Sequence, residues 1–354
     1  MTSQAITALA DMLSPHVPLG KTRLETLCLL IIGVISARTV NLSHVACERS
    51  GEVLIASTYR RLQRFFQHVA LGEDWSAGLV IRLLGLSGPW NLCLDRTNWK
   101  IGGRDVNILM LAVATRRFRV PLMWTVLDKA GNSNTQERVA LMQRYLALFG
   151  AESVRLLLAD REFIGLKWLN FLNGKNIPFA IRVKARLRVE TEDGHRLNLS
   201  SLLRKYRGAR KFYATFPGQG DVAALTLTFA ARRIRGGELL IVASNVADRN
   251  TLNAYRRRWA IECLFGDTKT RGLNLEDTRL QIASKLSLLL AIVSLAVVWA
   301  NRTASTLIGR GTLKRKTHGY YAKSWFRTGF DEIRRLLRSD PCAAVQPWSR
   351  ISIQ

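Results

Sequence analysis

Apolar positions recur at helical spacing through roughly the first 85 residues. In Thr22–Ser36 and again in Tyr59–Leu71, leucines, isoleucines and phenylalanines fall three and four apart, and both stretches predict helices. Between them the chain predicts short helices joined at Ser50-Gly51, followed by a basic, aromatic-bearing helix. The pattern changes near Gly88-Pro89. Trp90–Asn98, Val106–Thr115 and Phe118–Leu127 read as strands, the last two turning at Arg116-Arg117. A polar loop, Asp128–Thr135, leads into an amphipathic helix over Gln136–Phe149. Ser153–Asp160 then predicts a buried strand, Phe163–Asn173 a helix and Ile177–Val183 a fifth strand. The order strand, strand, strand, helix, strand, helix, strand implies a mixed α/β sheet with helices on its faces.

Residues 184–248 break this alternation with short β-like segments between Gly-rich and charged turns, and read as a β-rich insertion. Helix resumes after it, with Asp248 or Asn250 as the expected cap. The apolar run Leu286–Ala300 is short of the roughly 20 residues that span a bilayer, and predicts a buried core helix. The expected divisions are a helical DNA-binding domain over 1–86 and a core in two parts, 87–183 and 249–305. The insertion over 184–248 interrupts that core, and a basic C-terminal segment follows over 306–354.

Composition adds a partner. An apolar fraction of 48% over 354 residues suffices for a substantial core. Lys and Arg number 53 against 26 Asp and Glu, a net charge of +27. Such a field suits a polyanion, because each phosphate neutralised releases counterions. The basic residues are spread along the chain instead of bunched beside an anchor, which favours nucleic acid over a membrane surface. Five cysteines lie far apart, with no C-x-x-C pair; neither zinc nor a disulfide framework is indicated, and an odd count fits a reducing cytoplasm.

The candidate chemistry lies in acidic residues. Asp95 and Asp160 end apolar runs, where a lone carboxylate is costly. If their strands neighbour each other, the two carboxylates converge at one edge. Tyr255, Arg258, Glu262 and Lys269 follow at intervals of 3, 4 and 7 residues. On an α-helix they share one stripe about 60° wide. Arg256, Arg257 and Asp267 fall off that stripe, and Asp105 and Asp128 read as turn residues. Three clustered carboxylates make sense only around cations, and oxygen donors favour Mg²⁺ or Mn²⁺. Two such ions about 4 Å apart suit phosphodiester chemistry.

The set Asp95, Asp160, Glu262 with the Y-x2-R-x3-E-x6-K spacing resembles the DDE transposases of bacterial insertion sequences, the IS4 family. The blocks LCLDRTNW, GNSNT-x-ER and LLADREF are similar to that family's segments around its first two aspartates. The likeness runs over about 90–183 and 250–282. It implies an RNase H-like core interrupted by a β-strand insertion, and a cytoplasmic, nucleoid-associated enzyme working as a homodimer on two transposon ends. It implies divalent-metal-dependent endonucleolytic cutting at inverted repeats and strand transfer into target DNA. Carried over residue by residue, Asp95, Asp160 and Glu262 are the expected catalytic metal ligands, and Tyr255, Arg258 and Lys269 the expected DNA contacts. Arg161 and Glu162 match the same block, with a positioning role or plain packing both open. Some relatives hold a flipped base on an aromatic ring; Trp99, Trp124 and Trp259 are the candidate rings here. A nuclease without strand transfer, or a catalytically silent DNA-binding regulator, would share much of this sequence.

Overall fold

A computed structural model of the chain describes residues 3–247 and 250–349. Five helices open it: α1 Ser3–Leu13, α2 Lys21–Ala37, α3 Leu42–Cys47, α4 Ile55–His68 and α5 Trp75–Leu84. Three long strands follow, β1 Trp90–Ile101, β2 Arg104–Ala114 and β3 Arg119–Leu127. Next come α6 Thr135–Phe149, β4 Val154–Ala159, α7 Leu166–Gly174 and β5 Phe179–Arg182. The start of α6 is set by its sequence. The Asn134 side chain accepts from the Glu137 N–H while Glu137 accepts from the Asn134 N–H, so two otherwise unpaired amides are satisfied.

Residues 184–248 hold β6 Arg188–Glu190, β7 Arg196–Asn198, α8 Leu199–Leu202, β8 Arg210–Phe216, β9 Leu225–Arg233 and β10 Leu239–Ser244. These strands do not form a separate sheet. The ten strands of the described residues make one sheet in the order β3-β2-β1-β4-β5-β10-β9-β8-β6-β7, with β10 antiparallel to β5. The pairs β1–β4 and β4–β5 are parallel and sit at the centre, and the helices that lead into β4 and β5, α6 and α7, pack against each other. A large mixed sheet flanked by helices is the architecture of an RNase H-like core.

The chain ends with α9 Thr251–Tyr255, a 3₁₀ turn Arg256–Arg258, α10 Trp259–Thr268, α11 Ala283–Ile308, α12 Trp325–Ser339 and α13 Pro341–Ser349. Of the two expected caps of α9, Asn250 occupies the N-cap position and Asp248 lies outside the described residues. By length and composition α11 could cross a bilayer, but 78% of its most apolar window is buried inside the protein. It packs against α2, α5, β3, α12 and α13, and so joins the N-terminal helices to the sheet. Two of its buried polar side chains bond internally: Ser294 Oγ donates to the Pro121 carbonyl at 2.6 Å and Asn301 Nδ2 to that of Val297 at 2.8 Å.

Candidate active site

Register brings the two aspartates together. Leu94 of β1 faces Ala159 of β4 in the parallel pair, and Asp95 and Asp160 are the next residue along each chain. Asp95 is mid-strand, not at a strand end as its sequence context suggests, because β1 continues to Ile101. It continues because residues 95–101 pair with Arg104–Met110 of β2 across the turn at Gly102-Gly103. Asp160 directly follows β4 and opens a 3₁₀ turn, Arg161–Phe163.

The segment 255–269 is not one helix. A 3₁₀ turn interrupts it at Arg256–Arg258, and Lys269 has left the helix as the residue after α10. Tyr255 and Arg258 still share a side, since residues three apart eclipse in 3₁₀ geometry. Arg258 and Glu262 are a helical i, i+4 pair.

Arg258 is the centre of the site. One guanidinium nitrogen donates to Asp95 Oδ2 at 3.2 Å and the other to Glu262 Oε1 at 3.0 Å. Burial works against the charge of Arg258, yet Tyr255, Asp160, Asp95 and Glu262 together hold its pKa above the ordinary value. Burial pushes the Asp95 carboxyl up to about 7; Glu262 and Glu162 add to the shift, while the Arg96 N–H at 2.8 Å and Arg258 oppose it. Asp160 Oδ1 is buried and has no hydrogen-bond partner among the described residues.

The other stripe residues behave differently. Tyr255, expected to face DNA, is 6% exposed; its hydroxyl has no partner among the described residues, and burial raises its pKa. Lys269 donates to the Asn98 carbonyl at 3.3 Å, pairs with Glu276 at 2.7 Å and lies over the Trp99 ring. Asp267, off the stripe, is buried in an ion pair with Arg119 at 3.4 Å. Of the three candidate tryptophans, Trp99 and Trp124 are buried, and Trp124 Nε1 donates to Ser287 Oγ at 2.8 Å. Trp259, next to Arg258, is 65% exposed.

A second layer was not apparent from sequence. Arg96 points to the sheet face opposite Asp95, as strand alternation requires. It grips Glu162 at two points, 2.9 and 3.1 Å, and also donates to Asn107 and Asn132 at 3.0 Å each. Arg138 of α6 is buried, which lowers its pKa, and donates to the Glu162 carbonyl at 3.0 Å. Asn107 in turn donates to the carbonyls of Lys129 and Gly131. The turn after Asp160 is therefore fastened to the strand that carries Asp95. Arg161, by contrast, is half exposed and, among the described residues, pairs with Glu238 at 3.9 Å. The parity of Arg96 against Asp95 was the available signal.

Among the described residues, no three acidic, His or Cys side chains stand ready to hold a metal ion. The chemistry of the donors nonetheless fits a hard divalent cation. Asp95, Asp160 and Glu262 offer only oxygen, Asp160 Oδ1 lacks any partner, and a guanidinium already supplies positive charge between two of the carboxylates. A cation bound by Asp95 and Glu262 together would require Arg258 to turn away.

No curated protein matches the chain in a sequence comparison. The transposase DDE domain family matches residues 87–299, which covers the strand carrying Asp95, the turn at Asp160 and the helix of Glu262. DDE transposases generally use divalent metals to act on DNA. With well over half of its length inside that match, the chain belongs to the DDE transposase family.

Proposed function

We propose that this transposase is an IS4-type enzyme of a bacterial insertion sequence. In this reading it excises its element at inverted-repeat ends and joins them to target DNA as a homodimer in the cytoplasm. The observation that carries the reading is the parallel β1–β4 register, which sets Asp95 beside Asp160, with Glu262 tied to Asp95 through Arg258. Asp95, Asp160 and Glu262 would hold Mg²⁺ or Mn²⁺. When bound, the cation supplies Lewis-acid activation of the attacking hydroxyl and neutralises charge at the leaving oxygen.

The protein's own residues do the rest. Arg258, once released from the carboxylates, has a forked donor geometry that suits a phosphodiester. Lys269, over the Trp99 ring, would add a second cation for the DNA backbone once released from Glu276. Trp259 offers an open ring on which an unpaired base can stack. Tyr255 is too buried to meet DNA without movement, and instead backs Arg258 and Asp160.

The test uses the full chain, Mg²⁺ and duplexes carrying the element's termini, supplied intact or already cut, with a supercoiled target. A transposase joins the precut ends to the target. Cleavage of intact ends without joining would leave a nuclease, and binding without either reaction would leave a regulator.

A further inference from the structure

We propose that α4 is the element that reads DNA sequence, by lying in the major groove of duplex DNA with its solvent face on the base edges. The proposal depends on the transposase reading only in that the ligand is DNA. Residues 1–86 precede the family match, so the match assigns nothing to this helix.

The helix is divided cleanly. Thr58, Leu62, Phe65 and Phe66 are buried. At about 100° per residue they cover one arc, and Ser57, Arg60, Gln63, Arg64 and Gln67 fall on the opposite arc, all exposed. That outer face carries no acidic residue. Arginine donates two parallel hydrogen bonds to guanine, and glutamine pairs with adenine in the same two-point way, so this is a face suited to base edges. A merely solvated helix face would more often carry mixed charge with Glu–Lys pairs. Neither Arg60 nor Arg64 is held in an ion pair among the described residues. Arg61, one position round, is fixed inward on Thr26 Oγ1 at 2.7 Å.

Two surroundings support the same use. The cap and first residue of the helix, Leu54 and Ile55, are 72% and 55% exposed, an apolar tip that suits thymine methyl groups. Beside α4 runs a groove of about 340 Å³ whose far wall carries Arg279 and Lys285, placed to take the backbone phosphates that flank a docked helix. α3 packs against α4 across a connection longer than a helix-turn-helix turn, and it backs α4 on the side away from the exposed arginines and glutamines.

The helix pair is also tied to the catalytic domain. Thr39 Oγ1 donates to Asp277 Oδ2 at 2.8 Å and Asn41 Nδ2 to Asp277 Oδ1 at 3.4 Å, just before α3. Asp277 lies fifteen residues beyond Glu262 in the same chain segment. A helix fixed in this way sets the distance between the bases it reads and the phosphodiester at the carboxylates.

The experiment selects binding sites from a random duplex library with the full-length protein, then measures affinity and its salt dependence on the enriched duplex. Arg60→Ala, Gln63→Ala and Arg64→Ala alter surface residues only, and circular dichroism checks that each remains folded. We expect the wild type to enrich a defined motif. Arg64→Ala or Gln63→Ala should lower affinity for it about five- to hundredfold and relax the preference at one base position, with the salt slope little changed. Failure of the wild type to enrich any motif overturns the proposal. So does retention of the same motif and affinity by all three variants. Uniform weakening on every duplex, with the slope reduced by about one per substitution, would mean phosphate contact and also overturns it. Cleavage is not measured, so α4 can fail here while the catalytic reading stands.

Discussion

Arg96 and Glu162 form a two-point ion pair that joins the residue after Asp95 to the second residue after Asp160. Their side chains are 13% and 23% exposed, so loss of one partner leaves the other charge largely out of water. Glu162→Gln is expected to cost about 2 kcal/mol in urea unfolding. End cleavage should fall as well, with no carboxylate of the candidate triad touched. An unchanged cleavage rate with lowered stability would make the pair purely structural.

Stability should depend on pH through Asp95. Its carboxyl titrates at about 7 in the folded chain and near 4 when unfolded. Between those values the folded state holds a proton that the unfolded state has released. The contribution of Asp95 to stability is thus fully present below about pH 4 and is lost as pH rises through about 7. Asp95→Asn, which keeps an acceptor for Arg258, should gain stability relative to wild type at pH 8 and little at pH 4. Urea midpoints at the two pH values measure this; a difference independent of pH would contradict it.

Gly329 marks where α12 crosses α11. A Cβ there would lie 1.8 Å from the Ala300 carbonyl oxygen and 2.7 Å from the Ala304 nitrogen, both backbone atoms that cannot swing aside. Gly329→Ala should therefore destabilise the chain by about 3 kcal/mol despite its better helix propensity. Thermal unfolding followed by circular dichroism gives the sign: a higher Tm would mean that the helices separate easily.

Tyr255→Phe separates packing from hydrogen bonding. The hydroxyl is buried without a partner, so its removal should leave stability unchanged or slightly raised. A loss of more than about 1 kcal/mol would mean that the hydroxyl has a partner in solution.

Much of the sheet was legible because its strands obey period two or run apolar between turn residues. β2, β3 and β4 fall within a residue or two of their expected limits, and α6 within one. The strands of 184–248 were legible one by one, but their joining to β5 was not, since a pairing between residues about sixty apart leaves no local pattern. The helix carrying Glu262 was recognisable by spacing, whereas its 3₁₀ interruption was not. Charge was the least legible quantity. Nothing in the order of residues says that Arg258 would turn inward onto Asp95 and Glu262, or that Tyr255 would be buried behind it.

The carboxylates remain the central matter. Asp95→Asn, Asp160→Asn and Glu262→Gln are compared with wild type for cleavage and joining of the element's termini in Mg²⁺, alongside binding of the same duplexes. Each substitution should cut both reactions by a factor on the order of a hundred or more while the duplex is still bound. Wild-type cleavage by Asp160→Asn, the residue whose buried oxygen has no partner, would contradict the proposed site most directly.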